Sequence, residues 1–127
     1  MINLLLHFKK KYSMSNYETV FILNPVLSEN QIEEAVKKYE SLLESRKCKI
    51  VHKENWGLKK LAFTIQNKNS GFYHLLEFEG NSGVINDLEV EFRRDERVMR
   101  FLTVKLDVHA KEWADKRKKR IQTKVKA

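Results

Sequence analysis

The sequence predicts an α+β fold in which four strands form one antiparallel sheet and two helices cover one of its faces. Six regular segments follow one another in the order β, α, β, β, α, β. Both helical segments are amphipathic, so each has one apolar face to bury. Two βαβ-type units of this length, joined by right-handed crossovers, specify a ferredoxin-like split βαβ sandwich.

The first strand and the first helix have the clearest signals. Residues 17–23 are aromatic and β-branched, and Asn24-Pro25 ends the strand. Ser28 supplies an N-cap oxygen and Gln31 follows three residues later, which is typical of a capping box. A helix therefore begins after Ser28. Its apolar residues at helical spacing are Ile32, Ala35, Val36, Tyr39, Leu42 and Leu43.

The next two strands are predicted to form an antiparallel hairpin. Residues 48–53 alternate in the manner of a strand, and strand-like sequence resumes at 58–65. We therefore predict one long strand that bends or bulges at Gly57. Residues 68–71, Lys-Asn-Ser-Gly, are typical of a turn, and 72–78 form the third strand.

The last helix and strand follow a break at residues 80–83. Val84, Ile85, Leu88 and Phe92 recur at helical spacing, and residues 98–106 alternate as a strand. We assign one set of alternate side chains in this strand to the buried face: Val98, Leu102, Val104 and Leu106. The other set is expected to face outward or toward a partner: Met99, Phe101, Thr103 and Lys105.

Charge divides the 127 residues into three parts. The chain has a net charge of +8, but residues 14–106 contain 14 basic and 14 acidic side chains. The whole excess therefore lies in an N-terminal extension, 1–13, and a C-terminal tail, 107–127. A second interpretation is that translation begins at Met14, in which case 1–13 lies upstream of the protein. The tail has too few apolar residues for a core, so we expect it to be disordered, or a fraying helix, until it meets a partner.

The sequence contains no pattern typical of a catalytic or metal site. Cys48 is the only cysteine, which excludes an internal disulfide and a thiolate zinc cluster. The four histidines are isolated, and there is no Gly-rich phosphate loop. The apolar stretch 2–8 is too short to span a bilayer. We therefore expect a cytoplasmic protein that is not an enzyme, with no cofactor, metal, membrane partner or small-molecule substrate.

Three clusters of basic and aromatic residues indicate RNA as the partner, because phosphates need several cations and unpaired bases need planes on which to stack. The first cluster is Arg46, Lys47, Lys49, Lys53, Trp56, Lys59 and Lys60. The second is Arg93, Arg94, Arg97, Arg100 and Phe101. The third is the run Lys116, Arg117, Lys118, Lys119 and Arg120, whose mutual repulsion favours an anionic neighbour.

Two other classes share this order of elements. A free-standing RNA-recognition-type module would bind single-stranded RNA alone, but only Gly71, Phe72 and Leu75 match its third-strand motif. A ligand-binding ferredoxin-like enzyme or regulatory domain would need a pocket and a saturable small-molecule response. Both alternatives stay open at the level of the sequence.

Several segments together resemble the bacterial small-subunit ribosomal protein S6 family across nearly all of 14–106. Residues 16–25, Asn-Tyr-Glu-Thr-Val-Phe-Ile-Leu-Asn-Pro, resemble its first strand. Residues 56–65, Trp-Gly-Leu-Lys-Lys-Leu-Ala-Phe-Thr-Ile, resemble its second-strand signature of Gly-x-basic-x-Leu-Ala-aromatic. Residues 86–89 and 92–100 are similar to the second helix and its entry into the last strand.

This resemblance implies a structural constituent of the small ribosomal subunit that acts in ribosome assembly and translation. It implies joint binding of 16S ribosomal RNA with ribosomal protein S18 as a heterodimer, beside other small-subunit platform proteins. The implied RNA-facing residues are Lys59, Lys60, Arg93, Arg94, Arg97 and Arg100, to which the charge pattern adds 116–120. The implied contacts with the protein partner are Tyr17, Trp56 and Phe101.

Overall fold

A computed structural model describes residues 14–107 and 112–119 of the chain. Its elements are β1 (Ser15–Leu23), α1 (Glu29–Ser45), β2 (Lys49–Ile65), β3 (Lys68–Gly80), α2 (Gly83–Arg94) and β4 (Val98–Leu106). A further helix, α3, covers residues 112–119. The extension 1–13 and the tail residues 108–111 and 120–127 lie outside the described residues.

The four strands form one antiparallel sheet in the order β2-β3-β1-β4. This is the predicted ferredoxin-like arrangement. α1 and α2 pack on one side of the sheet, which we call the helix face, and the opposite side is the open face. The register places Val20, Leu75 and Leu102 side by side on the open face and Phe21, His74 and Phe101 on the helix face.

The core lies between the helix face and the two helices. At its centre the rings of Phe21, Tyr39 and Phe92 have centroid separations of 4.5 to 5.5 Å. The predicted apolar faces of α1 and α2 are confirmed, since their buried residues are Ile32, Ala35, Tyr39 and Leu43 in α1 and Val84, Leu88 and Phe92 in α2. Burying each large side chain contributes roughly 1.5 to 3 kcal/mol.

The start of α1 has the predicted capping box. The backbone N–H of Gln31 donates to Oγ of Ser28 at 3.3 Å, and the backbone N–H of Ser28 donates to Oε1 of Gln31 at 2.9 Å. Two backbone donors that the helix itself leaves without partners are thereby satisfied.

The bend predicted at Gly57 is confirmed, but the predicted hairpin turn is wrong. The β2–β3 register shifts between Asn55 and Gly57, and Gly57 has a φ of 75°. The turn consists of Gln66 and Asn67, with φ of 51° and 63°, and the predicted turn residues 68–71 lie within β3. A two-residue loop with positive φ at both positions has a backbone twist that matches the twist of the two strands that it joins. The turn therefore begins at Gln66, two residues before the predicted turn at 68–71.

The predicted faces of β4 are wrong beyond its first residue. Val98 is buried, but Leu102 is 66% exposed and Val104 is 43% exposed on the open face. Phe101 instead stacks on Phe92 in the core, with centroids 5.0 Å apart. The cause is an irregularity in the β1–β4 register, where one extra β4 residue, Met99, reverses the alternation.

Candidate RNA and partner interface

The β2 strand of the β2–β3 hairpin and the start of β4 carry a cluster of cations and aromatic rings. We call it the hairpin patch and define it as Trp56, Lys59, Lys60, Phe63 and Arg100. Nζ of Lys59 lies 6.0 Å from the Trp56 ring centroid, and the Arg100 guanidinium lies 5.8 Å from the Phe63 ring centroid. All three cations are exposed, and within 14–107 and 112–119 none of them pairs with a carboxylate. The structure therefore brings together cations from two of the predicted clusters.

The arginines of the α2–β4 corner lie at the same end of the sheet but have carboxylate partners. Arg93 pairs with Glu89 at 3.2 Å and lies over the Phe101 ring, 5.9 Å from its centroid. Arg94 is 4.0 Å from Glu91, and its side chain is 75% exposed. These side chains remain accessible to an anion, although each is partly neutralised.

Arg97 is partly exposed and is paired with Asp95. Nε of Arg97 donates to Oδ1 of Asp95 and a second guanidinium nitrogen donates to Oδ2, both at 2.9 Å. The Tyr39 hydroxyl also donates to Asp95, at 2.6 Å. Burial by itself would raise the pKa of Asp95, but the hydrogen bonds from Arg97 and Tyr39 hold that pKa well below its usual range. Asp95 therefore joins the loop after α2 to α1, and it pairs with two of the side-chain nitrogens of Arg97, whose side chain is 26% exposed.

The three predicted contacts with a protein partner are not brought together. Tyr17 is 6% exposed and stacks on Phe78 in the core. Phe101 is half-buried against Phe92 on the helix face. Trp56 lies on the open face, where it stacks on Tyr73 at 6.0 Å. Only Trp56 and Phe101 offer surface to a partner.

The tail helix α3 packs on the open face of the sheet through its cations. Lys118 Nζ is 2.7 Å from Oε1 of Glu77 in β3. Arg117 reaches Glu18 of β1 at 3.4 Å and Glu54 of β2 at 3.3 Å. Disorder, one of the two states predicted for the tail, is thus wrong for 112–119, because ion pairs to three strands supply the anchoring that the sparse apolar residues do not.

The predicted RNA-binding run of the tail is divided by this packing. Arg117 and Lys118 face the sheet, with side chains 21% and 14% exposed. Lys116 and Lys119 are exposed, and Arg120 lies outside the described residues. Trp113, on the same helix, is 58% exposed, whereas Ala114 is 2% exposed. α3 therefore has a sheet-facing side and a solvent-facing side.

The carboxylates beneath α3 were not found by reasoning from the sequence. Glu77 is completely buried within the apolar run of β3, between Leu76 and Phe78. A buried carboxylate needs a cationic partner. A glutamate within an apolar strand therefore could have predicted that a cation packs on this face of β3. Burial would raise the pKa of the neighbouring Glu54, but the hydrogen bond from Trp56 and the charge of Arg117 lower it.

The described residues offer no metal centre, since no group of three or more His, Cys, Asp or Glu among them could hold an ion. Burial lowers the pKa of His74, which stacks on Phe21, and raises the pKa of the Cys48 thiol. Within the same part of the chain no helix is long and apolar enough to cross a membrane.

Comparison with known proteins identifies the family. The family model for ribosomal protein S6 matches residues 16–105. This chain belongs to the ribosomal protein S6 family. The match spans every motif on which the sequence resemblance rests.

Relatives of high identity support the assignment to the ribosomal protein S6 family. The chain is 62% identical over 112 residues to the small ribosomal subunit protein bS6 of Christiangramia forsetii, covering 88% of this chain and 100% of the relative. It is 60% identical over 110 residues to the protein of that name from Flavobacterium johnsoniae, covering 87% and 97%. The crystal structure of 30S ribosomal protein S6 from Thermotoga maritima superposes with a TM-score of 0.73 at 28% identity, covering 82% of this chain and 99% of that one.

Membership of the ribosomal protein S6 family makes this chain a structural protein of the small ribosomal subunit and not an enzyme. Its place is the bacterial ribosome in the cytoplasm. The hairpin patch is thus a surface of a protein that works inside a ribonucleoprotein.

Proposed function

We propose that this ribosomal protein binds 16S ribosomal RNA together with ribosomal protein S18, as a heterodimer, during assembly of the small subunit. The observation that carries the proposal is the hairpin patch. Lys59, Lys60 and Arg100 are exposed and pair with no carboxylate in the described parts of the chain, and Lys59 and Arg100 lie beside aromatic rings. Such a surface suits phosphates and bases together.

Joint binding with a second protein follows from the charge balance. Residues 14–106 contain equal numbers of basic and acidic side chains, 14 of each. Several cations of the predicted RNA surface are also already paired, Arg97 with Asp95 and Lys118 with Glu77 among them. Few cations are left for phosphates, and electrostatic affinity for RNA grows with each phosphate that is neutralised. A basic partner protein would supply the missing contacts.

The surface for that partner is proposed to include Trp56 and the open face of β4. β4 is an edge strand of the sheet, and its Leu102 and Val104 are exposed. Exposed apolar side chains on an edge strand mark a surface that another chain can cover. Other small-subunit platform proteins would adjoin the assembled pair.

The alternative of a free-standing RNA-recognition-type module is disfavoured by the open face. Such modules stack bases on aromatics of their central strands. Here Glu18 and Glu77 occupy neighbouring positions in the two central strands, and α3 pairs with both. α3 therefore covers part of the surface on which such a module would stack bases.

The proposal is tested by filter retention of 16S ribosomal RNA on the full-length protein across a potassium chloride series, with and without S18. We expect tight, salt-sensitive binding only when S18 is present. The double variant Lys59→Glu/Lys60→Glu should bind more weakly, with a salt slope smaller by up to about 0.9 for each phosphate that the variant no longer neutralises. Lys37→Glu, an exposed cation of α1, is the matched control and should behave like the wild type.

Equal binding of the wild type with and without S18 would contradict the joint mechanism. Tight binding to any short single strand in the absence of S18 would support the RNA-recognition alternative. An unchanged salt slope in the double variant would show that Lys59 and Lys60 of the hairpin patch do not contact RNA phosphates.

A further inference from the structure

We propose that Phe63 is a stacking platform for one unpaired base of the bound RNA, with Arg100 holding an adjacent phosphate. This inference rests on the proposed RNA-binding function and assigns a residue and a ligand class to it. Phe63 is 65% exposed, and the Arg100 guanidinium lies 5.8 Å from its ring centroid.

The segment that carries Phe63 is held in place before any ligand binds. The β2–β3 register is irregular between Lys60 and Ile65, so that residues 61–64 of β2 face the single residue Asn69 of β3. Leu61 anchors this bulge by packing against Ile22 and Met99, and it is only 6% exposed. A backbone segment that is already ordered loses little conformational freedom when a base stacks on a ring that it carries.

A hydrogen bond holds the other side of the same bulge. The hydroxyl of Thr64 lies 2.9 Å from Oδ1 of Asn69, on the neighbouring strand. The tight turn at Gln66 and Asn67 closes the hairpin immediately beyond. The backbone that carries the exposed ring is therefore anchored on both sides of Phe63, by Leu61 and by Thr64.

The charges around the ring favour a nucleotide over an apolar protein surface. Lys60 and Arg100 are exposed and have no carboxylate partner in the described parts of the chain. An apolar partner that covered Phe63 would bury the Arg100 guanidinium, which lies 5.8 Å from the ring centroid, without a counter-charge, which is costly. An unpaired nucleotide supplies a flat ring for Phe63 and phosphate oxygens for the cations.

The test compares Phe63→Leu with Phe63→Tyr in equilibrium binding to 16S ribosomal RNA with S18 present. Loss of one base–aromatic stack should weaken binding of Phe63→Leu by about fivefold to about 150-fold. Phe63→Tyr keeps the ring and should keep wild-type affinity. The salt slope of Phe63→Leu should equal that of the wild type, because the substitution leaves every cation in place.

Leu58→Ala is the matched control, since Leu58 is a 58% exposed apolar residue of the same strand without a ring. It should bind like the wild type, and thermal unfolding of every variant confirms that the protein is folded. Wild-type affinity in Phe63→Leu would overturn the stacking proposal and leave the proposed function intact. No binding by the wild type with S18 would overturn both.

Affinity for S18 is measured without RNA as a further arm. Stacking on RNA requires that Phe63→Leu and the wild type form the heterodimer equally well. If Phe63→Leu already weakens the protein pair, the ring contacts S18 and the proposal is wrong.

Discussion

The Nζ atom of Lys118 in the tail helix lies 2.7 Å from Oε1 of Glu77, a completely buried residue of β3. Lys118 is itself 14% exposed, so this ion pair lies largely away from solvent. Removing one partner of a buried pair leaves the other charge uncompensated, which costs far more than losing a surface pair. Residues 112–119 of the tail are thus part of the folded structure as well as a source of positive charge.

Replacing Lys118 with Met should therefore destabilise the protein by about 3 to 5 kcal/mol, because Glu77 would remain buried without its partner. Urea denaturation of the full-length protein at neutral pH measures the loss. Lys116→Met, on the exposed side of α3, is the matched control and should change the free energy of unfolding by less than about 0.5 kcal/mol. Equal stabilities of the two variants would contradict the docked position of α3.

The double variant Glu77→Leu/Lys118→Met separates the ion pair from the helix contact. Replacing both members of a buried pair by apolar residues is often neutral or stabilising. We expect the double variant to recover most of the stability lost in Lys118→Met. If the double variant is as unstable as Lys118→Met, Lys118 contributes to stability through some contact other than Glu77.

Acid should weaken the protein through Asp95. Hydrogen bonds from Arg97 and Tyr39 outweigh burial and lower the pKa of Asp95 in the folded state. The unfolded chain, whose aspartates have a pKa of about 3.9, therefore binds the proton first. The stability that Asp95 contributes is fully present above that pH and is lost as the pH falls toward the folded pKa.

We therefore expect Asp95→Asn to be less stable than the wild type at pH 6, with the difference shrinking as the pH falls below about 4. Urea denaturation from pH 6 to pH 2 measures both curves. Tyr39→Phe, which removes one donor to Asp95, should have an intermediate pH dependence. A difference that stays constant with pH would show that Asp95 acts through shape and not through charge.

Local chemistry explains why much of the fold could be predicted. The capping box of Ser28 and Gln31 and the bend at Gly57 depend only on neighbouring residues, and both were found from the sequence. The buried faces of the helices follow from the spacing of apolar residues at about 3.6 residues per turn, and the buried residues of α1 and α2 have that spacing.

The errors arose where contacts distant in sequence decide the structure. The phase of β4 depends on an extra residue, Met99, opposite β1, which no pattern within β4 shows. The docking of α3 depends on Glu77, which is distant in the chain from Lys118. In the candidate site, Lys59 and Lys60 are exposed, whereas Arg97 is paired with Asp95. Tyr17 is 6% exposed because Phe78, which is distant in sequence, packs against it.

Leu88→Ala tests the packing of α2 on the sheet. Leu88 is completely buried in the core, so its truncation should cost about 2 to 5 kcal/mol through reduced burial and the cavity that remains. Ile85→Ala, one turn earlier and only partly buried, should cost less. Urea denaturation compares the two, and a negligible loss for Leu88→Ala would refute the register of α2.

Variants of two groups of cations should have different effects, one group on thermal stability and the other on RNA binding. Arg117 and Lys118 pair with carboxylates of the sheet, whereas Lys59 and Lys60 have no such partner in the described residues. Reversing Arg117 and Lys118 to Glu would place like charges beside Glu18, Glu54 and Glu77, and should lower the thermal midpoint. Reversing Lys59 and Lys60 should leave the midpoint unchanged and reduce the salt slope of RNA binding.

Thermal unfolding and a salt series of filter binding with S18 give both readouts on each double variant. Because folded protein is needed for the binding arm, the Arg117→Glu/Lys118→Glu variant is measured well below its midpoint. A reduced salt slope in that variant at wild-type stability would mean that α3 leaves the sheet and that its two cations contact phosphates in the complex. A lowered midpoint with a wild-type slope would mean that they serve the fold, and that the hairpin patch carries the phosphate contacts.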